Sequence, residues 1–176
     1  MKKVMIAASA IFILALVGYA VMSFFASDET RIRRLILGMQ KCFNKGDALR
    51  LCAGLAQDFQ DVDSGLGRED ILRILYGTFH GERLPSGAFP HRVELAGDPE
   101  AENGLQILLD KNPQSGALSA RLRVTVTFFR QTYKDGDITG ESPTASIEFE
   151  GQLLQEDGNW KIHRARMKLL EGRLPF

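Results

Sequence analysis

From Leu118 to Phe128 the chain alternates without a break. Leu118, Ala120, Leu122, Val124, Val126 and Phe128 are apolar, and Ser119, Arg121, Arg123, Thr125 and Thr127 between them are polar or charged. A period of two sends successive side chains to opposite faces of a strand. Residues 117–133 are therefore read as one long strand with a buried face and a wet face. Such a strand needs neighbours along its edges and a second layer over its apolar side. A second long strand is expected over residues 145–155, with Ile147, Phe149 and Leu153 inward. The Asp157-Gly158 pair that follows is a tight hairpin signal, so Trp160 to Met167 should return antiparallel. Shorter strands are expected over residues 89–96 and 105–111.

The covering layer comes earlier in the chain. Ile32, Leu35, Ile36, Met39, Cys42 and Phe43 recur at three- and four-residue steps, which predicts an amphipathic helix over residues 28–45. Gly46 suits its C-terminus and Asp47 the N-cap of a second helix. Leu51, Cys52, Leu55 and Ala56 continue with helical spacing, ending near Asp58. A third helix is expected over residues 68–79, with Ile71, Leu72, Leu75 and Phe79 on one face and Glu69 and Asp70 favoured in its first turn by the helix dipole. Three helices followed by antiparallel strands, each apolar on one face, is an α+β arrangement.

The segment before the first helix is of another kind. Residues 4–26 carry no charge in 23 positions. As a helix they would be roughly 34 Å long, enough for a hydrocarbon core of roughly 30 Å. Lys2 and Lys3 precede the run and Asp28 and Glu29 follow it, which favours an N-terminus in the cytoplasm and a domain outside. A cleaved secretory signal is the competing reading, but the run is long for one and lacks an Ala-x-Ala site near its end. The expectation is a single-pass membrane anchor over residues 1–27 and an extracytoplasmic domain, periplasmic or cell-exterior, over residues 28–176. In an oxidising compartment Cys42 and Cys52 are read either as a disulfide or as two buried thiols. Lys and Arg together number 22 and so do Asp and Glu, so there is no basic field to hold nucleic acid.

Three strings give the domain a resemblance. "CFNKGDALRLCAGLAQDF" reads as the end of a first helix, a Gly-Asp junction and a short second helix; "GREDILRIL" opens the third; "EDGNWKIHRARM" is the terminal hairpin. Together, over roughly residues 28–167, they resemble the nuclear transport factor 2-like superfamily, the cone of ketosteroid isomerases and small polyketide cyclases, also called cystatin-like. The resemblance implies three helices on a curved antiparallel sheet of four to five strands, with a conical cavity between the layers. It also implies an open sheet face on which a homodimer or an envelope protein partner would form. Enzymes of this kind place a carboxylate or a His-Asp pair inside the cone, and no such dyad maps onto this chain.

Candidate residues follow from the same placement. Asp58, at the expected cavity mouth beside Phe59, is a candidate base. Tyr76 and His80 lie four apart on the third helix and share a face. His91 alternates with Phe89, Val93 and Leu95 and should point inward, whereas His163 is out of phase with Trp160 and Ile162 and should be exposed. The acidic stretch "DVDSGLGRED" fails as a calcium loop. Counting from Asp61, Gly65 replaces a ligand, Leu66 stands where glycine is needed and Leu72 where a bidentate glutamate is needed. No nucleophile elbow, phosphate loop or zinc spacing is present. The expected function is that of a membrane-anchored, non-catalytic binding or assembly domain with no metal and no cofactor. A small-molecule binder or isomerase/cyclase-like enzyme using the cone is the alternative.

Overall fold

The computed structural model describes residues 27–96, 105–111 and 118–175. By its contacts the chain divides into Met1–Arg31 and Ile32–Phe176. In the first unit, the start of helix α1 (Asp28–Asn44) carries Asp28 and Glu29 in its first turn, with Arg31 3.8 Å from Asp28. Among the described residues no helix is long and apolar enough to cross a membrane. The anchor expected over residues 4–26 lies outside the described residues.

The second unit is a helix layer on a sheet. After α1 come α2 (Ala48–Cys52), β1 (Leu55–Asp61), α3 (Arg68–Gly81), β2 (His91–Leu95), β3 (Leu105–Lys111), β4 (Leu118–Lys134), β5 (Asp137–Glu156) and β6 (Asn159–Gly172). Gly46 ends α1 with φ of +64°, a left-handed conformation that glycine adopts without a Cβ clash. Asp47 then caps α2 by accepting a hydrogen bond from the Arg50 amide at 3.0 Å. Asp70 closes the start of α3, its Oδ2 accepting from the Gly67 amide at 3.2 Å.

Two expectations are corrected. The second helix is only five residues long, and what reads as its continuation through Ala56 and Asp58 is strand β1. Gly54 stands at the break, close against α1: a Cβ there would lie 2.7 Å from Met39 Sδ, and the methionine side chain would have to shift to admit it. The sheet is also larger and of mixed sense. Among the described residues six strands run in the order β1-β6-β5-β4-β2, with β3 on the remaining length of β4. The added strand β1 pairs parallel to β6, and the other pairs are antiparallel.

β4 and β5 are joined at Asp135-Gly136, both with positive φ, as Asp157-Gly158 joins β5 to β6. β5 starts at Asp137, well before the expected residue 145, and carries Pro143 opposite Phe129 at a register shift. Bulges of this kind are where a sheet accepts a proline. The core lies between the layers: Ile32, Leu105, Leu153 and Ile162 are fully buried, with Phe43, Phe79, Phe128 and Trp160 around them. At the free edge of β2, Asn44 of α1 accepts from the Val93 amide at 2.7 Å, and both Asn44 and Gln40 donate to the Val93 carbonyl at 3.2 Å. The edge is thereby covered by a helix.

Candidate functional site

Between the helices and the concave face of the sheet lies a cavity of about 270 Å³. Its wall is aromatic and aliphatic: Phe43 and Met39 from α1, Phe59 from β1, Phe128 from β4, Phe149 from β5 and Met167 from β6 are part of it. Ile74 and Met167 both line it and are exposed, 39% and 37% respectively, which puts them at the mouth. Phe43 and Phe128 stop it at the other side. Their rings meet edge to face with centroids 5.7 Å apart, and Phe79 and Phe89 continue the cluster at 5.2 and 5.9 Å from Phe43. Edge-to-face contacts of this kind add to the area the rings already bury.

Gln40 is the one polar side chain on the wall among the described residues, and its amide nitrogen is engaged by the Val93 carbonyl. No titratable side chain lines the cavity among the described residues.

The four residues expected to supply chemistry all lie elsewhere. Tyr76 is 54% exposed and stacks on His80 at 4.1 Å. They share a face as expected, but it borders a shallow depression with Lys45 and Arg83 rather than the cone. His91 is buried, as its alternation predicts, yet it packs beside Phe89 behind the cavity wall. Neither of its ring nitrogens has a hydrogen-bond partner, and Glu82 Oε2 stands 3.7 Å from Nε2. Burial holds its pKa below the ordinary imidazole value against the pull of Glu82.

Asp58 is corrected most sharply. It stands on a strand, not at a helix end, with its side chain 75% exposed on the outer face of the sheet, where its Oδ1 lies 2.8 Å from His163 Nδ1. The buried acid of this stretch is Asp61, whose Oδ1 accepts from the Ser64 amide at 2.7 Å and the Ser64 hydroxyl at 2.5 Å. His163 faces away from the core as expected but is only 13% exposed, because Asp58 and Glu156 cover it. Cys42 is half-buried and Cys52 buried, each with a free thiol in the structure. Burial raises the pKa of Cys52, with Arg68 opposing.

With this geometry in hand, solved structures can be compared. An NTF2-like protein with a cystatin-like fold from Novosphingobium aromaticivorans superposes with a TM-score of 0.61 at 18% identity, covering 90% of this chain and 92% of that one. Its fold is NTF2-like. A function-unknown protein from Mycobacterium tuberculosis gives 0.56 at 17%, covering 90% and 76%. A provisionally named scytalone dehydratase from Novosphingobium aromaticivorans gives 0.55 at 16%, covering 80% and 83%. No family model matches the chain, and no curated protein does. At these identities the likeness concerns the NTF2-like fold alone.

Proposed function

We propose that this NTF2-like domain is a non-catalytic receptacle for a small apolar molecule, held at a membrane by residues 4–26. One observation carries the reading: the cone is a cavity of about 270 Å³ whose wall, among the described residues, offers apolar side chains and no acid or base. General acid–base chemistry requires a titratable group within hydrogen-bond reach of the reacting atom. An apolar guest requires only surface to leave water, about 0.8 kcal/mol for each methylene buried. The volume sits near the lower end of small-molecule sites, so the guest is compact or a short length of hydrocarbon.

The role of the outer sheet face in partner binding has weaker support. Several of its charges are already paired: Arg123 Nη2 lies 2.8 Å from Glu148 and Arg123 Nε 3.5 Å from Glu150 within the sheet, and Arg166 Nε 3.2 Å from Asp63 of the turn after β1. The test of the receptacle uses an apolar fluorophore, N-phenyl-1-naphthylamine, titrated into the full-length chain in a detergent that does not itself brighten the dye. Val126→Trp places an indole where the cavity is. The expected result is saturable binding by the native chain and its loss in Val126→Trp, with unchanged circular dichroism. Absence of saturable binding, or equal binding by a folded Val126→Trp, overturns the reading.

A further inference from the structure

On the face of the sheet opposite the cone, three side chains from three strands converge. The register passes from Leu153 paired with Ile162 to Gln152 paired with Arg164, which leaves His163 as an extra residue in β6. Such a bulge re-aims the side chain it carries. Here it sets the His163 ring between Asp58 of β1 and Glu156 of β5. Nδ1 lies 2.8 Å from Asp58 Oδ1, and Nε2 lies 2.9 Å from Glu156 Oε1. One donor atom from each residue lies within 4.8 Å of the other two.

The two sides of the ring are not equivalent. Both neighbours are carboxylates, which only accept, and a neutral imidazole has one N–H for the two; with that proton on Nδ1, facing Asp58, Nε2 presents a lone pair to Glu156. That nitrogen is buried and makes no hydrogen bond, although the Glu156 oxygen is its near neighbour. A lone pair and a carboxylate oxygen are thus held 2.9 Å apart. Two acceptors at that distance repel unless a cation serves both.

We propose that His163, Glu156 and Asp58 form a binding site for a divalent first-row transition-metal ion. His163 Nε2 and Glu156 are its ligands, and Asp58 fixes the ring through Nδ1. Imidazole with carboxylate suits ions of the Co²⁺, Ni²⁺ and Zn²⁺ class. Donor atoms this close, each about 2.1 Å from the metal, subtend about 90°, the cis angle of an octahedral ion, whereas tetrahedral ligands stand ~3.4 Å apart. The geometry therefore favours Co²⁺ and Ni²⁺ over tetrahedral Zn²⁺. A carboxylate on the far nitrogen is the usual outer partner of a metal-bound imidazole. Asp58 and His163 also line a groove of about 400 Å³, together with Gln60, Ser119, Gln152 and the cationic side chains Arg121 and Arg164. The site is separate from the cone and does not depend on what the cone holds.

The experiment is a titration of the full-length chain, stripped with chelator and then dialysed, with CoCl₂ and NiCl₂. Calorimetry gives the stoichiometry and the visible Co²⁺ spectrum gives the geometry. One ion per chain is expected, with the weak absorption of octahedral Co²⁺. His163→Ala and Glu156→Gln should each lower the affinity at least ~10-fold, and Asp58→Asn, which removes only the outer partner, by ~10- to 100-fold. Glu156→Gln alters a partly exposed carboxylate and leaves the core untouched, so folding does not confound it. Binding that never saturates, or native affinity in both His163→Ala and Glu156→Gln, overturns the proposal and leaves a proton as the only occupant of Nε2.

Discussion

Replacing His91 by phenylalanine should make the domain more stable, and the structure gives both the size and the pH window of the effect. The ring is 4% exposed and neither nitrogen has a hydrogen-bond partner. A buried polar group without a partner costs about 1–3 kcal/mol, and a phenyl ring of similar shape beside Phe89 removes that cost. The expected gain at pH 7.5 is about 1–3 kcal/mol, which for a domain of this size raises Tm by ~3–9 °C.

The charged groups facing His91 are Glu82, at the end of α3, and Arg130, its strand partner on β4. Burial keeps the imidazole pKa below its unfolded value. The unfolded chain therefore takes up the proton first as pH falls below about 6.5, and native stability declines from there down to the folded pKa. His91→Phe should lose that contribution, so the gap between variant and native protein widens on acidification. Urea unfolding at pH 7.5, 6.5 and 5.5, with His91→Leu as a smaller companion, measures both effects. If both variants are less stable than the native chain, or if the gap does not change with pH, the account of His91 is wrong.

Three further outcomes follow from local geometry. Gly172 has φ of +79°, and a Cβ there would stand 2.0 Å from the Thr144 carbonyl oxygen. Gly172→Ala should cost about 2 kcal/mol or more and release the β6 end from β5, read as faster amide exchange at Arg173, whose N–H donates to Thr144 O. Arg92 grips Glu141 through Nε at 2.5 Å and Nη2 at 2.8 Å and lies over the Phe129 ring. Arg92→Lys keeps the charge but loses the fork, and chemical denaturation should show a loss of about 1 kcal/mol. Burial raises the Cys52 pKa, so in native protein Cys42, half-buried, should be alkylated first, and Cys52 should become accessible only on unfolding. Equal rates for the two thiols would contradict the packing of α2.

The fold was legible where one periodicity ruled. Leu118 to Phe128 alternates cleanly and is a strand, and the first and third helices fall where their apolar stripes put them. It was illegible where two patterns shared the same residues. Leu51, Cys52, Leu55 and Ala56 fit a helix by spacing, and the factor that makes 55–61 a strand is a distant partner, β6, which no local pattern reveals. The first half of β5 was hidden by Gly140 and Pro143, although Asp135-Gly136 carries the same hairpin signal as Asp157-Gly158. For the site, alternation gave His91 the right direction but could not say whether it reached the cavity. His163 was assigned to the correct face and the wrong exposure, because its cover comes from Asp58 and Glu156, residues of other strands. A cluster gathered across a sheet leaves no spacing in the sequence.

The parallel pairing of β1 with β6 also sets an order of events. The Ile162 amide donates to Gly54 O and the Val62 amide to Ala165 O, so β1 is held by a strand made ~100 residues later. Until Ile162 has left the ribosome, β1 has no edge to join and one wall of the cone is missing. Contacts between distant parts of a chain form late, because the loop between them must be closed first. Closing the cone therefore waits on β6, and until that strand pairs, the apolar wall it completes stays open to water.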